Sequence, residues 1–385
     1  MIKSNGLGTR NIKRRESMLK LIWTTFFIIS FNAYAILEFE DASSPELITS
    51  ARALAMGNAY MSKVDDSWAA FYNPAGLGTV RGLMFHLGNV HLETNNGFLD
   101  VTGGSGNFLE STGDYSDAFT ADGLRSLHAD SPGEISHARI NLFPNITFRG
   151  FTLGYMYSQQ NRARLRSIDD EFEIAERTDS GPVMALNLSL FGGIFKIGAT
   201  GILLTRKQIQ KDFASVESTD IDKNVDYKQG TMTHVTAGMR LTLPFFMLPT
   251  FSVVQRNSSN GRWYDEELGG VPDTIPQTTD AGFSIEPIAA RNLRMHFEVN
   301  YKDIGNRYDT VAQNRKIVGG MEIGWKRMFF FRLGYGDGWG SGGIGVRNEK
   351  FIFDLTTYAI EASEEENAFR EEEDRRYIMS FSSGF

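Results

Sequence analysis

No cysteine occurs in the 385 residues. Disulfides, thiolate zinc sites and thiol catalysis are therefore excluded, and so is the cysteine-borne lipid of a bacterial lipoprotein. Proline is scarce, at 10 residues. A surplus of positive charge is missing too: 39 Lys and Arg stand against 47 Asp and Glu. Binding a phosphate backbone requires that surplus, so nucleic acid is not expected as a partner. No apolar run reaches the roughly 20 residues of a membrane-spanning helix. If the mature chain sits in a membrane, only a closed β-barrel can hold it there.

What is present suits that alternative. Glycine (39) and phenylalanine (29) are plentiful, as in an all-β chain with tight turns and aromatic girdles. The long apolar run, Leu21 to Phe31, follows Lys13, Arg14, Arg15 and Lys20 and precedes Asn32-Ala33-Tyr34-Ala35. A positive segment, a short apolar segment and an A-x-A site make a secretory signal over residues 1–35, cut after Ala35. Met18 would serve equally as its start.

Beyond Gly82 the pattern has period two. Leu293, Met295, Phe297, Val299 and Tyr301 point one way, and Arg294, His296, Glu298, Asn300 and Lys302 the other. Val235 to Leu243 and Phe329 to Tyr335 repeat the alternation. About fourteen such segments can be traced, near 81–91, 136–148, 150–160, 181–191, 194–206, 230–243, 248–256, 277–286, 292–302, 315–325, 328–336, 340–347, 350–360 and 376–385. Runs of about ten alternating residues fit a transmembrane barrel better than a soluble sandwich. Connections after even segments are short, such as Arg149-Gly150, Gly192-Gly193 and Lys326-Arg327. Those after odd segments are mostly long: 92–135, 161–180, 207–229, 257–276, 303–314 and 361–375. The short connection at Asp337 to Trp339 is the exception. Alternating turns and loops predict an outer-membrane barrel over 81–385 with both termini in the periplasm. The terminal strand, with Tyr377, Met379, Phe381 and Phe385 in alternation, looks like the signal read by barrel-assembly machinery.

Residues 36–80 do not alternate. Ala51 to Tyr60 is small and helix-compatible, and Asp65-Asp66-Ser67 suits the start of a short helix. Asn73-Pro74-Ala75-Gly76 is a turn signal. The stretch ARALAMGNAYMSKVDDSWAAFYNPAGLG, Ala51 to Gly78, resembles the N-terminal hatch of the FadL-type long-chain fatty-acid transporters, and PorV-like proteins of type IX secretion share this opening. The resemblance implies a plug inside the barrel, with inward Arg240, Arg294, Glu298, Glu322, Arg332 and Asp354 either pairing with it and each other or lining a hydrated lumen. It implies one of two functions. The first is passive uptake of hydrophobic small molecules such as long-chain fatty acids. The second is a partner or anchor in protein secretion or surface assembly.

Other features carry less. Gly340-Ser-Gly342-Gly-Ile-Gly345 spells a dinucleotide motif but enters a strand, where that motif has no use. Six histidines form no metalloprotease motif, no G-x-S-x-G is present, and Ser105 and His128 share only a loop. No catalysis, metal or cofactor is expected. The acidic run Glu361 to Asp374 reads as a solvated outer loop or as a cation site bridging to lipopolysaccharide phosphates; Arg162, Arg164 and Arg166 read as binding those phosphates or as solvated. Pro144 interrupts the second strand. It lacks the donor that a ladder needs, and a closed barrel has no edge to shelter it, so a bulge or a gap in the wall is expected. Asn73, Pro74, Ala75, Gly76 and Pro144 are the residues expected to bind or gate a ligand. Outer-membrane lipid, lipopolysaccharide, a hydrophobic small molecule and the barrel-assembly machinery are the expected partners.

Overall fold

The computed structural model describes residues 47–101, 120–129, 132–166, 171–213, 221–222, 225–264, 269–348, 350–363 and 365–384. The expected signal peptide, the first residues of the expected hatch, Ser105 and Phe385 lie outside these.

Strands follow one another as β1 (Met84–Asn95), β2 (Ile135–Leu142, resumed at Asn145–Phe148), β3 (Phe151–Leu165), β4 (Phe172–Leu190), β5 (Phe195–Phe213), β6 (Lys228–Thr242) and β7 (Thr250–Arg256). They continue as β8 (Thr278–Ile285, resumed at Ile288–Ala290), β9 (Leu293–Tyr301), β10 (Ile317–Trp325), β11 (Phe329–Gly336), β12 (Trp339–Arg347), β13 (Phe351–Glu361) and β14 (Glu373–Gly384). Each pairs antiparallel with its sequence neighbours, and β14 returns to β1, with Leu92 opposite Met379. The result is a closed transmembrane barrel of fourteen strands.

The barrel is polar inside and apolar outside. Arg139, Glu173, Asp179, Arg206, Arg240, Glu298, Glu322 and Arg332 point inward and are at most 5 % exposed. Leu153, Met184, Leu186, Leu203, Val299, Phe331, Leu333, Ile344 and Phe381 point outward and are 46 to 57 % exposed. In water such a wall would forfeit about 25 cal/mol for each Å² of apolar surface left uncovered; against hydrocarbon it costs nothing. Aromatic pairs Phe148–Phe151, Trp325–Phe329 and Phe351–Phe381 sit near the short turns, as an interfacial girdle does.

The loops differ from expectation in one respect. The connections expected at 161–180 and 207–229 are shorter, because β3 runs to Leu165, β4 begins at Phe172, β5 runs to Phe213 and β6 begins at Lys228. Above the apolar belt these strands carry cross-strand polar and ionic pairs, with Arg164 reaching Glu173 at 2.7 Å and Arg206 reaching Asp179 at 2.7 Å. The apolar alternation ends at the lipid boundary while the hydrogen-bonded ladder continues past it. After β1 the chain turns into helices Asn96–Val101 and Ala121–His128, whose Phe98 and Leu124 pack with Phe172 and Phe213 in a small core.

Candidate functional site

Residues 47–80 fill the lumen with short helices at Ala51–Leu54 and Ala69–Tyr72 and a 3-10 turn at Pro74–Thr79. The turn is locally encoded. Asn73 caps it by accepting the Ala75 N–H at 3.0 Å, and Pro74 occupies the first position, where no donor is needed. The Asn73 amide also donates to the Met61 carbonyl at 3.0 Å, tying the two halves of the segment together.

The segment is held to the wall by charge. Arg52 donates twice to Glu322 at 2.7 Å and contacts Asp65 at 2.8 Å and Asp66 at 3.1 Å. Glu322 in turn accepts from Arg332 at 2.8 Å, and Arg332 reaches Asp354 at 2.5 Å. Burial alone would raise the Asp65 carboxyl, yet Arg52, Lys63 and Arg347 hold it well below the usual carboxylate range. Elsewhere Glu298 accepts the Ser62 and Lys63 backbone N–H groups at 2.8 and 3.1 Å, and Arg240 donates to the Val64 carbonyl at 3.3 Å. Five of the six charges expected to pair with the segment or each other do so. The sixth, Arg294, lines a cavity at the turn end. The wall also yields to the segment sterically. A Cβ on Gly334 would overlap the Met56 and Gly57 backbone, and one on Gly238 the Asn73 side chain.

Cavities lie on both sides of this plug. Towards the short turns, one of about 460 Å³ is lined by Lys63, Lys196, Arg240, Glu286, Arg294 and Arg327 among others. Another of about 250 Å³ reaches Trp68, His86 and Asn89. Towards the long loops, one of about 120 Å³ is floored by Phe71 and Ile48 and walled by Arg206, His234, Thr236 and Arg256.

The wall is broken beside the plug. β1 and β2 pair at His86–Asn145 and again at His91–Asn141, leaving residues 87–90 and 142–144 without ladder partners across that seam. β1 shifts register against β14 at the same height, between His86 and Gly88. Pro144 sits in the gap. Phe143 turns inward and packs on Phe71 at 4.8 Å and Trp68 at 5.9 Å. Its carbonyl accepts from the side chains of Asn145 at 2.8 Å and Asn89 at 3.4 Å, while the Pro144 carbonyl accepts from the Tyr155 N–H at 3.1 Å. Polar side chains and plug aromatics thus replace the missing ladder.

No protein-family model matches the chain, and no curated protein does. Among solved structures it is similar to CdiB from Acinetobacter baumannii, with a TM-score of 0.37 and 11% identity over 80% of this chain and 60% of that one. It is similar to the P. putida toluene transporter TodX, with a TM-score of 0.42 and 10% identity over 91% and 99%. A Pseudomonas aeruginosa FadL homologue gives 0.30 and 8% identity over 89% and 99%. The chain spans 60% of the length of CdiB.

Of the residues singled out in the sequence, Asn73 to Gly76 form a buried anchor under the plug and Pro144 lies in the seam, so the two are not brought together at one cavity. Arg164 and Arg166 converge on Glu173, and Arg162 is buried. His128 meets Ser136 at 2.7 Å. In the acidic run, the Glu361 carboxylate accepts the N–H groups of Glu371 and Glu372 at 2.9 and 2.7 Å, and Asp374 pairs with Arg376 at 2.8 Å. The glycine motif lies within β12. The cavity residues Arg177, Arg206, His234 and Arg256 carried one legible signal, an inward position on adjacent strands. Their common height depends on barrel stagger, which period two alone does not reveal.

Proposed function

We propose that this chain is an outer-membrane channel for passive entry of hydrophobic small molecules, with residues 36–80 as the hatch and the long loops facing outward. Long-chain fatty acids are the class that the hatch resemblance implies. The observation that supports it most is the juxtaposition of a plugged lumen, a cavity on its loop side and a broken wall beside the plug. A solute entering from the loops meets the cavity floored by Phe71. The same Phe71 packs on Phe143 at the seam, so displacement of one ring opens a path towards lipid. Lateral exit spares an apolar solute the crossing of an aqueous space. On this reading the outward belt contacts membrane lipid, lipopolysaccharide meets the outer rim, and barrel-assembly machinery handles the terminal strand. The cavity between loops and plug favours uptake over a secretion-partner role.

Replacing Pro144 with valine restores a donor to the ladder. The expected result is a barrel of equal or slightly higher heat stability and slower uptake of a radiolabelled hydrophobic solute by cells. Unchanged uptake by well-folded Pro144→Val protein removes the lateral exit and leaves Pro144 as an ordinary bulge.

Orientation has its own test. A cysteine replacing Glu365 should react with a membrane-impermeant maleimide on intact cells, and one at Gly192 should react only after the outer membrane is opened. The reverse pattern inverts the barrel.

A further inference from the structure

We infer that the turn-side cavity is an oxyanion site, which takes the phosphate group of a small soluble solute beneath the plug. The inference goes beyond uptake of apolar molecules and does not depend on it.

The first observation is a set of cations without counter-ions. The cavity measures about 460 Å³, against roughly 30 Å³ for one water, so it admits a solute of many heavy atoms. Its carboxylates are already engaged. Asp65 and Glu322 pair with Arg52, and Glu286 pairs with Lys63 at 2.8 Å. Five further cations line it: Arg81, Lys196, Arg240, Arg294 and Arg327. None of the five makes an ion pair among the described residues. Lys196 donates to the Gly193 carbonyl. Arg240, 5 % exposed, uses its Nη1 on the Val64 carbonyl at 3.3 Å and the Thr79 hydroxyl at 3.5 Å, and no described residue accepts from its Nη2.

The second observation is placement. Arg81 precedes β1, Lys196 and Arg240 stand on β5 and β6, Arg294 on β9, and Arg327 in the turn after β10. The cations are therefore spread around the barrel instead of lining one side. A tetrahedral phosphate offers acceptors in several directions, whereas a carboxylate offers two oxygens in one plane. The wall beside Arg294 and Arg327 is closed by unbroken pairing, from Leu293–Trp325 between β9 and β10 to Trp325–Phe329 between β10 and β11. Both arginines are exposed at the turn end, so a solute reaches them through the mouth and not from lipid.

The third observation is the charge of the mouth itself. Acids outnumber bases in the chain, 47 to 39, yet the short turns carry Arg149, Arg291, Lys326 and Lys350 against Glu349. A cleft of one sign between low-dielectric walls concentrates counter-ions, and here hydrocarbon backs the wall. Glu349 lies outside the described residues, as do Glu38, Glu40, Asp41 and Glu46 before the plug. Their carboxylates are the competing occupants.

The test is calorimetric titration of the full chain in detergent with pyrophosphate, and with acetate as comparator. An ionic strength of about 0.15 M confines strong attraction to charges within about 8 Å. Pyrophosphate should bind at least about tenfold more tightly than acetate. Joint Arg294→Gln and Arg327→Gln should weaken pyrophosphate about a hundredfold, the scale of two charge-assisted hydrogen bonds. Lysine at both positions keeps the charge and should recover most of the loss. Arg370→Gln, in the loops at the far end, should change nothing. Heat-modifiable migration on gels confirms that each variant is folded. Equal binding of acetate and pyrophosphate, or an undiminished affinity in the folded double variant, overturns the inference. Glutamine at Glu38, Glu40, Glu46 and Glu349, with asparagine at Asp41, should leave the affinity within about threefold, less than one charge-assisted hydrogen bond. A larger gain would show that the chain's own carboxylates fill the cavity, and would overturn it too. Nanodiscs of phosphatidylglycerol and of phosphatidylcholine should give the same pyrophosphate affinity. Loss of binding in phosphatidylglycerol alone would assign the cations to a lipid headgroup and reject the soluble solute.

Discussion

Replacing Arg52 with leucine is expected to unseat the plug while the barrel stays closed. Arg52 is the cation between Asp65 and Asp66 on the plug and Glu322 on β10. Without it, Glu322 and Asp354 share the single cation Arg332. Asp66 keeps its hydrogen bonds from the Tyr60 hydroxyl and the Trp68 N–H, but the cation left beside it among the described residues is the distant Arg347, at 3.9 Å. Removing one partner of a buried ion pair costs about 3 to 5 kcal/mol, because the remaining charge is left uncompensated. The plug has an escape that the strands lack: it can leave the wall and hydrate its carboxylates. The strands keep their ladders, since those bonds run from strand to strand and do not involve Arg52. Proteoliposomes carrying Arg52→Leu should therefore pass small polar sugars faster than wild type, and limited proteolysis should cut between residues 47 and 80. Arg52→Lys keeps the charge but loses the two-pronged contact with Glu322, and should fall between the two. Wild-type permeability and protease resistance in the leucine variant would show that the ionic chain does not retain the plug.

A valine at Gly334 should produce a comparable release by steric means. Gly334 faces inward on β11, where the Met56 and Gly57 backbone lies so close that a Cβ would overlap it. A flexible side chain yields to such an intrusion; a backbone segment braced by Arg52 and by the Gly57 N–H donating to the Ser341 hydroxyl at 2.9 Å does not. Overpacking costs about 1 to 3 kcal/mol where neighbours adjust and more where they cannot. Gly340 on β12 supplies the control, because an added Cβ there meets nothing within 4 Å. Hydrogen exchange across residues 51–61 should accelerate in Gly334→Val and stay at the wild-type rate in Gly340→Val. Equal protection in both would mean that the wall accommodates the plug by moving.

The two variants mark where reading from sequence stops. Gly334 was legible as a member of an alternating strand, and Arg52 as part of a small-residue segment resembling a hatch. Their contacts with each other's elements were not legible, because Arg52 and Glu322 are 270 residues apart and nothing local dictates which wall position a lumen charge will meet. Pro144 shows both sides. A missing donor in a closed ladder had to break the wall somewhere near it. That the break falls on the β1 side, and that Phe143 turns in to meet Phe71 and Trp68, followed from how the plug packs.

By itself, the sequence determined the barrel. Period-two alternation sorts each strand into two faces whatever its neighbours are, and short turns alternating with long loops set the strand order. These are local properties, and they survive without knowledge of the fold. Only the tertiary structure decided the inside: which charges pair across the lumen, where the ladder fails, and that Arg206, His234 and Arg256 stand at one height above Phe71. Such placements depend on strand stagger and on the fit of the plug, and both are set by contacts between residues far apart in the chain.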